Sequence, residues 1–510
     1  MRTLMRHYLF WRLAVVVALV FTGALVPTRA SAQCEHKLTA YDATWWEEFG
    51  HSVALCDRAA LVGKPMHRCF GVAGSRGAVY AYRCNGVAWL IQQKPMASDG
   101  WDDDFFGTAV GLDEGVAIVG AAYRGSVRGA AYVFRDTGGR WQEEQKLTVA
   151  SDDQSFGCSV AVAGDVAVVG SEEDADTGAA YVFRYDGVRW NEEQRLVASN
   201  AMSGDCFGLS VAIWGDRILV GAPQTHSRTV GYAAVYRFNG VTWQQEQQLI
   251  AVSGSANDYF GCSVSLRQDL ALIGSYGNNS AYVFRHDGSK WTQESWLMGT
   301  GSFGYSVSLE SELALIGAPS QSEGRAHVYR YDGSAWVPYA ELRASDGVEN
   351  DGLGLAVSLD GSRALVGAPR DEDAGTMSGS AYVFHDASWR NYGDGWSGTN
   401  GIPPFTASAA PLPGTVIDLE VGNSLGATTT GVLLAGLIAW RHETALGGTL
   451  LVLPDVIVNV VIPGAGLTFP ATILPELGGF TVHLQCLELD PGASRGVSFT
   501  PRLTLEMCAF

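Results

Sequence analysis

The sequence has little charge, and basic residues are its scarcer charged type. Only 17% of the 510 residues are charged, and 34 Lys and Arg face 53 Asp and Glu, which gives a formal net charge of −19. Nucleic acids are bound through a cationic surface, so this shortage of basic side chains excludes a nucleic-acid partner. Cations, glycans and basic proteins remain compatible with it.

Common catalytic motifs are also missing. No G-x-S-x-G, phosphate-binding loop, H-E-x-x-H or G-x-G-x-x-G stands in the setting that its chemistry needs, and the ten His are scattered. The sequence therefore predicts a protein that is not an enzyme and needs no cofactor.

Long hydrophobic runs are absent as well. The apolar run at residues 13–26 is shorter than the roughly 20 residues that a membrane-spanning helix needs. Three arginines precede this run, and the small-x-small triplet Ala30-Ser31-Ala32 follows it. This pattern predicts a signal peptide over residues 1–32 and a secreted or cell-surface protein that begins near Gln33, with no transmembrane segment in the mature chain.

Cysteine is moderately frequent, with nine residues in the chain. Export permits disulfides, and the odd total leaves at least one thiol unpaired. Cys486 and Cys508 stand close together near the end of the chain, and we expect a bridge between them.

A unit of about 50 residues recurs along most of the chain. It reads F-G-x-S-V-A, a short turn, an apolar stretch ending in Gly, a variable loop, then A-Y-V-F-R-Y-D-G and W-x-x-E-Q-x-L. The Phe-Gly pair that opens each copy begins at Phe49, Phe106, Phe156, Phe207, Phe260 and Phe303, and Leu353-Gly354 opens a seventh, degenerate copy.

Each copy contains four strand-like stretches with period-two alternation, and none contains an amphipathic helical pattern. Four-stranded units that repeat in this way form the blades of a β-propeller. The seventh copy lacks its fourth strand, and residues 35–40 resemble that missing strand. The sequence therefore predicts an all-β fold: a seven-bladed β-propeller over residues 33–387, closed by its N-terminal strand.

The Phe-Gly openings and the Gly-Ala-Pro triplets at Gly221, Gly317 and Gly367 resemble FG-GAP repeats. Such repeats build the head of integrin α subunits and of many bacterial exported proteins. This resemblance implies an extracellular interaction or adhesion role, without naming a ligand.

Beyond the repeats, residues 388–413 are rich in Gly, Pro and Ser, as a linker would be. Residues 414–510 contain short strand-like stretches separated by prolines, which predicts a small C-terminal β-sandwich. The stretches that begin at Leu489 and Gly496 resemble a C-terminal module of exported planctomycete proteins, for which the resemblance implies no particular activity.

Integrin-type repeats often hold calcium in a D-x-D-x-D-G loop between Phe-Gly and Gly-Ala-Pro. In this chain that interval contains only a short turn, whereas a Ca²⁺ site needs six to eight oxygen ligands. The inherited calcium site is therefore not expected. If a cation binds at all, the candidate ligands are the aspartates that crowd the preceding loops, namely Asp102, Asp104, Asp152 and Asp153.

Four aspartates precede the Phe-Gly pair, or its equivalent, by two residues: Asp104, Asp205, Asp258 and Asp351. Two interpretations are open. They cap turns by accepting hydrogen bonds from backbone N–H groups, or they form an acidic rim that holds cations or a basic partner.

The long, divergent loops all fall on one face of the predicted propeller, and variable loops on a rigid scaffold commonly carry recognition. The candidate ligand-binding residues on these loops are Tyr123, Arg124, Asp174, Asp176, His226, Arg370, Asp371 and Asp373. The repeated Trp of the fourth strand is interpreted as blade packing, whereas Trp101, Trp214 and Trp396 stand outside the repeat and are candidates for ring stacking.

Taken together, the sequence favours a non-catalytic extracellular propeller that recognises a glycan or a protein through its long-loop face. Two alternatives remain open: a polysaccharide-processing propeller enzyme and an architectural component of the cell envelope.

Overall fold

The protein is described by a computed structural model, which covers residues 33–66, 75–85, 88–122, 129–150, 155–224, 230–386, 388–392, 397, 399–408, 416–436, 438–444, 449–472, 481–495, 497–500 and 502–506. Contacts divide these residues into two compact units, one spanning His36–Phe384 and the other containing residues 33–35 and the residues from His385 onward. No helix in the described ranges is long and apolar enough to cross a membrane. The predicted signal peptide lies outside them.

The first 28 strands form four-stranded sheets, of which there are seven in the described residues. These strands are β1 (Gln33–Leu38), β2 (Ser52–Cys56), β3 (Ala59–Lys64), β4 (Ala78–Cys84), β5 (Trp89–Gln93), β6 (Ala109–Asp113), β7 (Val116–Ala121), β8 (Ala130–Asp136), β9 (Trp141–Leu147), β10 (Val160–Ala163), β11 (Val166–Ser171), β12 (Ala179–Tyr185), β13 (Trp190–Leu196), β14 (Ser210–Trp214), β15 (Arg217–Ala222), β16 (Tyr232–Phe238), β17 (Trp243–Leu249), β18 (Val264–Arg267), β19 (Leu270–Ser275), β20 (Ser280–His286), β21 (Trp291–Met298), β22 (Val307–Glu310), β23 (Leu313–Ala318), β24 (Arg325–Tyr331), β25 (Trp336–Leu342), β26 (Ala356–Asp360), β27 (Arg363–Ala368) and β28 (Ser380–Asp386). Two short 3-10 helices, Asp174–Asp176 and Tyr276–Asn278, lie in loops between the second and third strands of a sheet.

The sheets follow one another around a ring. Six of them take four consecutive strands, and the remaining sheet has the order β1-β28-β27-β26. The first strand of each sheet contacts the first strands of the two neighbouring sheets, and β26 contacts β2 in the same way. This arrangement of repeated four-stranded antiparallel sheets is that of a β-propeller, so the predicted all-β propeller fold is confirmed.

The Phe-Gly pair builds the contact between one sheet and the next. The Phe is fully buried and meets an aromatic ring in the third strand of the sheet that it opens. Phe156 contacts Tyr181 in this way, edge-on, at a centroid distance of 5.5 Å. The Gly has a positive φ, +99° at Gly157, and a Cβ there would lie 2.3 Å from the carbonyl oxygen of Ala130. Only glycine permits this approach of two backbones.

Two sets of hydrogen bonds join neighbouring sheets. In the first, which we call the inner seam, the Ser of F-G-x-S donates to the Gly carbonyl of the next Phe-Gly pair, at 2.7 Å from Ser159 to Gly208. Equivalent bonds start from Ser52, Ser210 and Ser306. The conserved spacing within the repeat thus follows from a contact between blades rather than within one.

The second set, the outer seam, explains the W-x-x-E-Q-x-L stretch. The Gln side chain donates to the carbonyl of the Trp in the next sheet and accepts from its backbone N–H, both at 2.8 Å for Gln194 and Trp243. The Glu accepts from the indole of that Trp, as Glu193 does from Trp243 at 3.0 Å. Gln93, Gln145 and Gln247 make the same paired bonds.

Packing of the repeated Trp is confirmed for the later copies. Trp141, Trp190, Trp243, Trp291 and Trp336 are buried. Hairpins on the side opposite the long loops place glycine at positive φ, as predicted, for example +95° at Gly187 and +98° at Gly288.

The C-terminal unit contains the remaining strands: β29 (Ser388–Tyr392), β30 (Phe405–Ala407), β31 (Val416–Val421), β32 (Thr429–Gly436), β33 (Ile438–Glu443), β34 (Thr449–Leu453), β35 (Val456–Ile462), β36 (Leu467–Thr472), β37 (Thr481–Leu489), β38 (Val497–Phe499) and β39 (Arg502–Glu506). One sheet has the order β29-β39-β37-β32-β35 with β38 beside β37, and a second has the order β30-β31-β36. Side chains of both sheets share one core, including Leu419 and Leu484, which is the architecture of a β-sandwich. Strands β29 and β30 lie within the range predicted to be a linker.

Cys486 is buried in this core as a free thiol, and burial raises its pKa to about 12. Its predicted partner Cys508 lies outside the described residues.

Candidate functional site

The long-loop face consists of the loops that join the fourth strand of one sheet to the first strand of the next, together with the loops between second and third strands. Of the residues predicted to bind a ligand, the structure describes Asp174, Asp176, Arg370, Asp371 and Asp373. Tyr123, Arg124 and His226 lie outside the described residues, as do Asp152, Asp153 and Trp396.

The carboxylate of Asp174 accepts hydrogen bonds from residues of its own blade. Its buried Oδ2 accepts hydrogen bonds from the Tyr181 hydroxyl and the Arg195 Nε, both at 2.7 Å. Tyr181 and Arg195 are direct partners across β12 and β13. The carboxylate therefore ties a loop to two strands, and its role as a ligand-binding residue stays a prediction. Asp176 is exposed.

Asp371 has the same role in the sheet that both ends of the repeat region share. It is 3% exposed and accepts from the Tyr382 hydroxyl and from Lys37 Nζ of β1, both at 2.9 Å. Asp346 and Asp373 also contact Lys37 Nζ, at 2.7 and 2.5 Å. A buried charge is tolerated because it is paired, so Asp371 stabilises the scaffold, and its contact with a ligand stays a prediction.

Electrostatics reflect this clustering. Burial alone would lower the pKa of Lys37, but hydrogen bonds to Asp346, Asp373 and Asp371 outweigh it and the pKa rises. The same contacts hold the pKa of Asp346 below its usual value against the opposing effect of burial. Lys37 thus stays charged and joins β1 to two loops of the long-loop face.

Related clusters recur in other blades. Asp99 accepts from Tyr132 and Lys146, and these two residues face each other across β8 and β9. The sequence signal is the Tyr of A-Y-V-F opposite the Lys or Arg of Q-K-L or Q-R-L. This pattern indicates a structural cluster. A loop carboxylate that contacts such a Tyr and cation stabilises the scaffold, whereas other loop carboxylates do not take part in it.

The aspartates before the Phe-Gly pair cap turns, so this interpretation is confirmed. Each accepts a hydrogen bond from the backbone N–H three residues earlier: Asp104 from Trp101, Asp205 from Met202, Asp258 from Ser255 and Asp351 from Val348. Burial raises the pKa of Asp104 and Asp351.

The described members of the predicted metal-ligand set, Asp102 and Asp104, bind different groups of the protein. Asp104 caps its turn, and Asp102 pairs with Arg76 at 3.1 Å. Among the described residues, no group of three or more His, Cys, Asp and Glu side chains is placed to hold a metal ion.

The first copy departs from the repeat in a way that the repeat pattern alone does not reveal. Glu47 replaces the capping aspartate and accepts from the Thr44 N–H. It also contacts Nζ of Lys64 at 2.6 Å, and both side chains are fully buried. Lys64 follows the Gly of the second strand, where other copies have Ala or Ser. Glu47 and Lys64 thus differ from the repeat together, and their opposite charges pair with each other. Burial lowers the pKa of Lys64 despite this contact.

Exposed aromatic side chains gather on two neighbouring loops of the long-loop face. Tyr41 and Trp45 are each 68% exposed and Trp46 is 54% exposed in the loop before β2, and Trp101 is 73% exposed in the loop before β6. Trp214, another predicted stacking residue, is instead covered by the guanidinium of Arg267 at 3.9 Å. Contiguous groups of exposed apolar side chains mark binding surfaces more often than single exposed side chains do.

One further polar cluster lies in the C-terminal unit. Ser424 Oγ lies 2.8 Å from Glu488 Oε2 and 2.7 Å from Asp490 Oδ2, and all three side chains are buried. Thr399 donates to Asp490 through its N–H and its hydroxyl. The carboxylates are thereby satisfied by neutral donors, and this network organises the loops of the sandwich.

Comparison with known families agrees with the geometry. The model of the FG-GAP repeat matches residues 89–134, 141–183, 190–238, 243–284 and 336–384. Each match runs from the fourth strand of one sheet to the third strand of the next. The chain is an FG-GAP repeat protein. The matched FG-GAP repeats all lie within the propeller, so the resemblance of the C-terminal unit to an exported module stays a prediction. No curated protein matches the chain.

Proposed function

We propose that this FG-GAP propeller is a non-catalytic, extracellular binding module that recognises a glycan or a protein through its long-loop face. The observation that carries the proposal is the concentration of exposed aromatic rings on that face. Of the four Trp side chains in the described residues that are largely exposed, Trp45, Trp46 and Trp101 lie there.

The fourth exposed Trp has a structural explanation. Trp296 stacks on Tyr282 at a centroid distance of 6.1 Å, and its indole donates to Ser280 Oγ at 2.8 Å. Within the described residues, none of the three exposed Trp of the long loops stacks on another ring in this way. Trp and Tyr supply large contact areas at low cost in side-chain entropy, so exposed rings on a rigid scaffold suit recognition.

A binding screen of the chain from residue 33 to residue 510, against a glycan array and a panel of extracellular proteins, tests the proposal. We expect a ligand whose affinity falls in the double variant Trp101→Ala, Arg370→Ala, because both side chains are exposed on the long-loop face. Val188→Ala with Val241→Ala is the matched control, because these side chains are 83% and 79% exposed on hairpins of the opposite face.

Three results would contradict the proposal. One is loss of binding in the hairpin control alone, and another is an affinity that neither double variant changes. The third is turnover of a polysaccharide that is abolished by a single Asp substitution, since it would favour the enzyme alternative.

A further inference from the structure

The loop between β1 and β2 places two consecutive indoles on the surface. Trp45 and Trp46 are 68% and 54% exposed, and Tyr41 of the same loop is 68% exposed. Three large rings within six residues form the largest aromatic group among the exposed side chains of the described loops. We call these three residues the aromatic platform.

The backbone at Trp46 is strained for a bulky residue. Its φ is +63°, in the left-handed region that β-carbon sterics disfavour. In four other copies the residue at the same position, three before the Phe or Leu of the repeat, also has positive φ: Asp103, Gly204, Asn257 and Asn350. Those copies use the residue types that tolerate this conformation, whereas the first copy uses Trp.

The scaffold itself does not require an indole there. The N–H of Trp46 donates to the carbonyl of Thr376 at 2.8 Å, and Gly204 and Asn350 make the equivalent bond in their own copies. A costly backbone conformation that the fold does not demand of this residue type points to a role in function.

Trp45 is held in a defined place beside the strand-two-to-three loop of the last blade. A Cβ on Gly375 would lie 2.4 Å from Cδ1 of Trp45, so the indole edge lies against bare backbone. The platform is therefore presented by two loops that the Lys37 cluster anchors, since Asp371 and Asp373 belong to the same loop as Gly375.

The chemistry around the platform selects the class of ligand. The exposed polar groups on the loop of Gly375 include Arg370, Glu372 and Asp373, so acidic groups outnumber basic ones there, and the chain has a net charge of −19. This environment repels phosphates, sulfates and uronic acids, and it offers acceptors to hydroxyl groups. A neutral sugar ring has an apolar C–H face and a rim of hydroxyl donors, so it matches both features.

We propose that Trp45, Trp46 and Tyr41 form a stacking platform for a neutral glycan. This inference rests on the proposed function and narrows it to one ligand class and one loop. Trp46 supplies the ring that the ligand covers, and the strain in its backbone is the reason for expecting stability and binding to change in opposite directions.

The test compares Trp46→Asn and Trp45→Ala with the native chain, using neutral and anionic oligosaccharides on an array and then the best neutral oligosaccharide in solution. We expect each variant to lose about tenfold or more in affinity. Trp46→Asn should at the same time melt at or above the native temperature, because Asn tolerates the left-handed backbone. Binding should change little with added salt, since a neutral ligand makes no ion pairs.

The outcomes separate this inference from the proposed function. If Trp101→Ala with Arg370→Ala abolishes binding while Trp46→Asn leaves it intact, the platform is wrong and the long-loop face still binds. If no neutral glycan binds, or if polylysine binds instead with an affinity that collapses at high salt, the glycan class is wrong. A lower melting temperature for Trp46→Asn than for the native chain would show that the backbone at Trp46 is not strained.

Discussion

Several contacts between neighbouring blades recur from copy to copy, whereas the long loops vary at nearly every position. Gln93, Gln145, Gln194 and Gln247 make the same pair of hydrogen bonds to a Trp backbone. By contrast, the position of Trp46 is filled by Asp, Gly or Asn in the copies compared above. These contacts recur because each blade packs against a neighbour of similar sequence, and the loops are free of that constraint.

Some loop residues nevertheless belong to the scaffold. Asp174 and Asp371 lie on variable loops, but both are buried and hold a Tyr and a cation of their own blade. Position on a loop is therefore weaker evidence of a binding role than exposure without an internal partner.

The largest effect is expected from removing the strand that joins the ends of the ring. Deletion of residues 34–41 takes away most of β1, including the buried Leu38 and the cation of the Lys37 cluster. It leaves β28 as an open edge and three carboxylates without their cation, so we expect loss of cooperative thermal unfolding and aggregation. Differential scanning calorimetry with light scattering measures both.

A peptide of residues 33–41 provides the control, because it should restore cooperative unfolding to the deleted chain. Unaltered thermal unfolding of the deletion variant would show that the ring does not depend on closure by β1.

A smaller loss is expected when one outer-seam contact is removed. Gln194→Ala deletes two hydrogen bonds and leaves the N–H and carbonyl of Trp243 without partners. We expect a loss of about 2 kcal/mol in the free energy of unfolding, measured by urea denaturation. Gln142→Ala, at an exposed position of β9, should change it by less than about 0.5 kcal/mol. Equal losses in both variants would mean that the seam contributes nothing specific.

The repeat allowed much of this scaffold to be predicted. Period-two alternation and the Phe-Gly spacing identify the four strands of each copy, and the short side chains of Asp104, Asp205, Asp258 and Asp351 explain their capping role. Local chemistry was sufficient in these cases because each partner lies within three residues.

Contacts between residues far apart in the chain could not be predicted from local sequence patterns. Lys37, which binds the carboxylate of Asp371, lies 334 residues away in the chain. Local sequence patterns therefore could not show this contact, and Asp371 was predicted to bind a ligand. The prolines of the C-terminal unit were predicted to separate its strands, but one of them, Pro470, lies within β36, the edge strand of its sheet. An edge strand tolerates proline because one side of its backbone has no partner strand. Exposure of Trp45 and Trp46 also depends on neighbouring loops and leaves no mark in the local sequence.

The smallest expected effect concerns Asp42, a loop carboxylate that acts on the scaffold of the first blade. Burial alone would raise its pKa, but hydrogen bonds from Lys94 and Tyr80 and the charge of Lys64 lower it to about 2. Because the folded pKa lies below the ordinary value of 3.8, the stabilisation is present above pH 3.8 and is lost as the pH falls through about 2.

Asp42→Asn should remove this component of the pH dependence. We expect the native chain to lose more thermal stability than the variant between pH 3.8 and about 2, as followed by circular dichroism at fixed ionic strength. If both proteins lose stability in parallel over this window, Asp42 contributes nothing through its charge. In that case it would resemble the unconstrained loop positions, and the division between scaffold carboxylates and free ones would have to be drawn elsewhere.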